Sequence, residues 1–309
     1  MADIEIVGIG SSVYDTLIRV PRYPEEDTKM ESSETRIQAG GPCATALAAA
    51  RKLGRSAAYV GTLGSDDYGR FMLRDLADRG VDVSRVALVP GISFHSTVLL
   101  SDAGGSRTCV WNRGTVPEAN PAELDAAFLS EARVLHLDGH MMEMALSAAV
   151  ICRKAGVTVS YDAGGVYPRV RELLPLVDWL VPSEEFALRV SGCSSAEDAA
   201  CYLMNAYHPE FVAVTQGVRG GILLDERGFW RWPAYPVDAV DTNGSGDTFH
   251  GALIAGRLYG LSVREACRYA SAAAAIKCTR LGARDAMADD TEVRKFLLQR
   301  GEPLAESVI

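Results

Sequence analysis

Hydrophobic positions along this chain follow two rhythms, and the change between them organises the molecule. Ile4-Glu5-Ile6-Val7-Gly8-Ile9-Gly10 is a short apolar run closed by glycines, which predicts a strand. Residues 29–38 mix polar and apolar positions, as an exposed or half-buried strand does. Residues 93–100 and 107–111 flank Asp102-Ala103-Gly104-Gly105 and predict a hairpin. These polar strands point to a small sheet standing off the main core. From about residue 120 the pattern becomes strand, helix, strand, helix. Residues 134–137 and 157–160 are apolar runs separated by a helix over 141–155 that Gly156 ends, and the runs 179–181 and 211–214 follow. Strands buried on both faces and alternating with helices predict a parallel sheet. Earlier, residues 44–53 form a small-residue helix stopped by Gly54, and 68–79 an amphipathic helix stopped by Gly80. The predicted fold class is α/β: a three-layer sandwich with a mostly parallel central sheet and a small β lid. Ligands of such sheets sit past the carboxyl ends of the strands.

Composition narrows the picture. A chain of 309 residues with 48% hydrophobic content can bury a sizeable core. A net charge of −9 argues against nucleic-acid or anionic-membrane partners, while a local basic cluster could still receive an anionic substrate. Seven cysteines without a CxxC pair read as free thiols of a reducing compartment, and no run is long enough to span a bilayer. The N-terminus runs straight into a strand without a signal-peptide pattern, so a cytoplasmic protein is expected.

The strongest chemical signal is Asp241-Thr242-Asn243-Gly244-Ser245-Gly246-Asp247-Thr248 ahead of an apolar helical stretch. Three small residues let backbone N–H groups converge on one spot, and the helix start adds partial positive charge there. That is an anion hole which a phosphate can approach closely. A carboxylate beside it, Asp247, can take the proton of an attacking hydroxyl, although it could also merely complement the helix dipole. Trp111 offers an apolar platform and Arg113 fork-shaped donors to a ligand, or both simply end an exposed strand.

The block from 241 to 247, with Gly251-Ala252 after it, resembles the C-terminal signature of the ribokinase-like (PfkB) carbohydrate kinases, and the resemblance extends over nearly the whole chain. It implies that Asp247 is the catalytic base and that Gly244, Ser245 and Gly246 supply the anion-hole amides. Gly40-Gly41 is similar to the family's hinge between lid and sheet, and Gly8-Ile9-Gly10-Ser11 with Asp15 to the segment whose aspartate bonds sugar hydroxyls. Thr45 stands where many members carry a sugar-touching Asn. Residues 212–217 with Gly220-Gly221 resemble the strand and turn along the nucleotide, and 272–282 the segment closing over adenine. The resemblance thereby implies ATP contacts at Ser183, Thr215, Gly217, Gly220, Ala275 and Cys278. Ser183 and Phe186 replace the Asn and Glu of an element that organises Mg²⁺, for which Glu184 and Glu185 are the available substitutes; a monovalent ion, K⁺, is implied near Asp241. Further expectations are a single domain over 1–309 with its lid at about 15–40 and 91–116, a homodimer through that lid, and a sugar substrate. The stretches 40–45 and 181–187 look most like the ketohexokinase and fructokinase-like branch, hence a ketohexose phosphorylated on a primary hydroxyl. A nucleoside kinase and a non-catalytic sugar-binding regulator remain the alternatives.

Weaker signals have bland readings. Gly8-x-Gly10-x-x-Val13 lacks the third glycine of a dinucleotide fingerprint, and Pro21 and Pro24 interrupt the helix that should follow. His136-Leu-Asp138-Gly-His140 could suggest metal ligands but lies at a strand end, where Asp138 or His140 can face a site. Asp15 taken alone is a commonplace loop acid. Ala46, Ala49 and Ala50 suit close helix packing, and Trp230-Arg231-Trp232-Pro233 an outer hairpin.

Overall fold

The computed structural model describes residues 4–102 and 107–304. The chain first forms β1 (Ile6–Ile9), β2 (Val13–Val20) and β3 (Glu34–Gly40). Helix α1 (Pro42–Lys52), β4 (Ala57–Gly64), α2 (Asp67–Asp78) and β5 (Asp82–Val89) follow, then β6 (His95–Ser101) and β7 (Arg107–Asn112). After α3 (Ala126–Glu131) come β8 (Val134–Leu137), α4 (Met142–Ala155), β9 (Thr158–Ala163) and α5 (Val170–Leu173). Next are β10 (Trp179–Pro182), α6 (Glu184–Ser191), α7 (Ala196–Tyr207) and β11 (Phe211–Thr215). A hairpin of β12 (Gly221–Asp225) and β13 (Gly228–Trp232) precedes α8 (Ser245–Leu258), α9 (Val263–Cys278) and α10 (Asp290–Leu298).

Nine strands make the main sheet in the order β13-β12-β11-β10-β9-β8-β1-β4-β5, parallel from β11 to β5. The pairs β11–β12 and β12–β13 are antiparallel. Both faces are covered, which is why the strands read as continuous apolar runs. Ile6 and Tyr59 face a core with α1, α2, α8, α9 and α10, while their neighbours Val7 and Val60 face the core under α3 to α7. Small residues bring α1 and α8 together: a Cβ on Gly251 would lie 2.2 Å from the Ala46 carbonyl oxygen. The aromatic hairpin has a further use, since the buried Trp232 ring stacks on Phe249 of α8 at 5.9 Å.

The separate sheet runs β3-β2-β6-β7, with β2 and β6 parallel and the outer pairs antiparallel. The hairpin between β6 and β7 forms as expected, while its turn residues Ala103, Gly104 and Gly105 lie outside the described residues. Two expectations are corrected. The strand expected over 29–38 begins only at Glu34, where pairing to Arg19 starts, and residues 29–33 are irregular and largely exposed. Asp15 is no loop acid: it occupies a buried position in the middle of β2, between Val13 and Leu17 on the same face.

Candidate active site

Four segments converge at the carboxyl ends of β1, β8 and β9, under the small sheet. The 241–247 loop ends in Gly244, whose φ of 76° caps α8, so Ser245 and Gly246 are its first two helical residues and Asp247 its third. Helix geometry leaves the N–H groups of this first turn without intrahelical acceptors. Among the described residues none comes within 4 Å of a Cβ built on Gly246, so the space above the turn is open. Gly244 must be glycine twice over, because a Cβ there would also press on Ala283 at 2.9 Å.

Asp247 sits in the first turn with part of its surface exposed. Removal from water raises its carboxyl to about 7, and the nearby Asp162 adds to the rise while His250 and Arg107 oppose it. Beneath it, on the next turn of α8, His250 Nε2 lies 3.1 Å from Asp162 Oδ1. Burial pushes Asp162 up, yet His250 prevails and holds it below the ordinary carboxylate value. His136 lies below that pair, fully buried, and desolvation lowers it to about 4, so it stays neutral.

Asp15 faces the same space from the lid. Burial raises it to about 6 against the lowering effects of the Ser96 hydrogen bond and of Arg284 and Arg107. Ser96 Oγ donates to its Oδ1 at 2.5 Å, and Arg284 donates to the Gly40 carbonyl at 2.6 Å. A Cβ on Gly40 would stand 2.0 Å from Asp15 Oδ2, and one on Gly41 (φ 93°) 2.7 Å from the Ser11 carbonyl oxygen. The Asp15 carboxylate therefore lies against Gly40, while Gly41 lets the chain pass the Ser11 backbone. Asp138 fixes the remaining wall: one oxygen accepts from Ser11 N, Ser11 Oγ and Cys43 N, the other from His140 N.

Several expected contacts are placed differently. Thr45 is fully buried, and its hydroxyl accepts from Arg284 Nε at 3.2 Å, so it supports the lid junction instead of facing a ligand. Trp111 is exposed on the lid edge, against Phe94. Arg113 pairs with Glu118 at 3.0 Å and donates to His140 Nδ1 at 3.1 Å, at the rim of a cavity behind Ser11 and Ser12 that neither Asp15 nor Asp247 lines. The His140 ring in turn packs on Tyr167 at 4.5 Å. Asp138 and His140 follow β8, where Asp138 binds the Ser11, Cys43 and His140 backbone and so helps to form a wall of the site.

The residues expected to contact ATP lie at the ends of β10, β11 and α9. Ser183 caps α6 by accepting from Phe186 N, and it bridges to Thr215, bringing the ends of β10 and β11 together. Gly217 (φ 57°) and Gly220 (φ 82°) shape the turn after β11. Ala275 and Cys278 lie near the end of α9, where the Cys278 carbonyl accepts from Val240 N and Asp241 N. Glu184 bonds Gln216 Nε2 at 2.7 Å and pairs with Arg219, whereas Glu185 is exposed beside Arg189. Asp241 is enclosed: its fully buried carboxylate lies 3.6 Å from Lys277 Nζ and accepts from Asn243 N and Gly282 N.

Reading the sequence missed Arg107, Arg284, Asp162, His250 and Lys277. Arg107 opens β7 and donates to Asn243 Oδ1 at 3.3 Å, tying the lid to the catalytic loop. An isolated basic residue in a polar strand gives no sign of that. His250, three residues after Asp247 and so on the same helical face, was the one with a readable signal.

This arrangement, a carboxyl with raised pKa at an anion-receiving helix start, with Arg107 acting on it and on the Asp15 carboxyl of the small sheet, suits phosphoryl transfer to a hydroxyl. Comparison with known proteins agrees with it. The sequence profile described as pfkB family carbohydrate kinase matches residues 3–290. The chain is 32% identical over 299 residues to an ATP-dependent ribose-1-phosphate kinase of Halopiger xanaduensis, covering 96% of this chain and 99% of that protein. It is also 32% identical over 290 residues to fructokinase-1 of Oryza sativa subsp. japonica, covering 84% and 87%. Among solved structures, Arabidopsis thaliana ribokinase complexed with ribose and ATP superposes with a TM-score of 0.84 at 28% identity, covering 95% of this chain and 98% of that one. The chain thus belongs to the PfkB family of carbohydrate kinases, with the ribokinase-like fold, and is an ATP-dependent phosphotransferase acting on a sugar.

Proposed function

We propose that the enzyme moves the ATP γ-phosphoryl group to a primary hydroxyl of a furanose sugar, a pentose or its 1-phosphate before a ketohexose. The observation that carries this reading is the position of Asp247, its carboxyl raised to about 7, in the first turn of α8 beside the open space over Gly246. The ionised Asp247 takes the hydroxyl proton as the oxygen attacks. The amides of Ser245, Gly246 and Asp247, aided by Arg107, meet the charge on the phosphoryl oxygens. Asp15 accepts hydrogen bonds from the sugar's other hydroxyls and fixes which one reaches Asp247. Relatives named for ribose 1-phosphate and ribose support the pentose.

Mg²⁺ fits the donor set, because it keeps several waters and is held mainly by substrate phosphates. Glu184, oriented by Gln216 and Arg219, would align such waters and thereby set the metal's position. The lid edge β7, exposed along its length, is the surface through which a second copy would pair.

The test is ADP release with ribose, ribose 1-phosphate, fructose and adenosine at fixed Mg²⁺-ATP. A furanose pentose or its phosphate should give the highest kcat/KM, and Asp247→Asn should lower kcat by about 10²–10⁴-fold while ATP still binds. A tenfold preference for fructose would return the substrate to the ketohexoses, one for adenosine to nucleosides. Near wild-type kcat in Asp247→Asn would remove the proposed base.

A further inference from the structure

Lys277, next to last in α9, plays no part in the chemistry described so far, yet it is fully enclosed. Its ammonium donates to the Asp241 carbonyl oxygen at 2.7 Å and lies 3.6 Å from Asp241 Oδ2. The same carboxylate accepts from the N–H groups of Asn243 at 2.8 Å and Gly282 at 2.9 Å. Asp241 is thus the knot between the loop that leads into the anion hole, the end of α9 and the segment that carries Arg284. An ammonium withdrawn from water is costly unless oxygens surround it. A K⁺ ion held by the Asp241–Thr242 loop would need the carbonyl and carboxylate oxygens that Lys277 already uses. Two cations cannot share them, so the residues present do not fit the ion that the sequence led us to expect.

We propose that Lys277 is the resident cation of the anion-hole loop: a positioning residue that holds residues 241–246 in their phosphate-receiving geometry and makes phosphoryl transfer independent of K⁺. The inference does not depend on which sugar is the substrate. Burial lowers the affinity of Lys277 for its proton, and Asp241 opposes that loss.

Two measurements on the intact protein test it. In tetramethylammonium salts, kcat should change less than about twofold when K⁺ is added, the ion's site being filled already. Stimulation of tenfold or more would overturn the proposal. Lys277→Met keeps the length of the side chain without its charge. It should lower kcat on the order of 10²-fold with the sugar KM little changed, and K⁺ or NH₄⁺ should restore part of the loss. Wild-type kcat in this variant, or a loss that neither ion relieves, would sink the idea. Should the variant fail to unfold cooperatively, the wild type still decides through the rise in Tm that ADP produces. That rise should be equal in K⁺ and in tetramethylammonium, and a rise that requires K⁺ refutes the proposal even if no sugar has yet been found to react.

Discussion

The Asp247 carboxyl is held protonated up to about 7, mainly by loss of water and then by the charge of Asp162. As a base it works only when ionised. The acid limb of kcat/KM should therefore fall away near pH 7, with a second, binding-related loss near 6 as Asp15 takes up its proton. The effect on stability has the opposite sense. Both groups bind protons more tightly in the folded chain than in the unfolded one, so stability falls as pH rises from the ordinary carboxylate range through the raised values. Asp247→Asn, which removes that burden, should raise Tm at pH 8 while abolishing turnover; a Tm that drops would mean that the carboxylate is paired and not strained. The two adjacent glutamates can be separated in the same way. Glu184→Gln should raise the Mg²⁺ concentration needed for half-maximal activity, because its carboxylate is fixed by Gln216 and Arg219. Glu185→Gln should leave the Mg²⁺ titration unmoved, since that side chain is exposed and meets only Arg189. Equal effects of the two changes would take the metal-orienting role away from Glu184.

Among the elements, α1 and α8 show what close packing requires. Gly251 faces the Ala46 carbonyl with no room for a methyl group, so Gly251→Ala should cost about 1–3 kcal/mol and lower the urea midpoint without changing the slope. An unchanged midpoint would show that the helices part freely. That interface was readable from Ala46, Ala49 and Ala50, as the alternation of strand and helix was from residue 120 onward, because small residues and apolar runs are local signals. Other elements were hidden for physical reasons. β2 escaped notice because the acid Asp15 stands at one of its buried positions and breaks the alternation. Ala57–Gly64 is buried throughout, yet its small residues Ala57, Ala58, Gly61 and Gly64 give it little strand character. The 241–247 block displayed the site's chemistry in one stretch. Arg107, Arg284 and Lys277 owe their roles to contacts 36 to 244 residues away, which no local pattern records.

At the scale of the whole molecule, two sheets of unequal stability meet over the site. The main sheet is enclosed by helices on both faces, while the small one contributes only Leu17, Val98 and Leu100 to a buried cluster of its own, packed on Leu281. Beyond Ala39, which joins the main core, and Tyr14, which packs against it and stacks on Tyr68 at 4.1 Å, the ties to the body are polar: Gln38 accepting from Ala283 N, Arg284 bonding the Gly40 carbonyl, and Arg107 reaching Asn243. A sheet with so little apolar contact opens locally at lower free energy than the core. Two of its four connections to the body pass through Gly40-Gly41 and Gly114, where φ is 93° at Gly41 and 76° at Gly114. Such positions absorb backbone rotation that other residues resist. A sugar bonded to Asp15 from below would add the missing contacts and draw the lid down, bringing Arg107 onto the phosphoryl group and excluding water from Asp247. Amide exchange should then slow in β2, β3, β6 and β7 when sugar and a non-hydrolysable ATP analogue bind together, and change little in β1, β8 and β9, which are protected already. Equal exchange in the free and doubly liganded enzyme would mean that the lid is a fixed wall, and that Arg107 reaches the phosphoryl group without any closure.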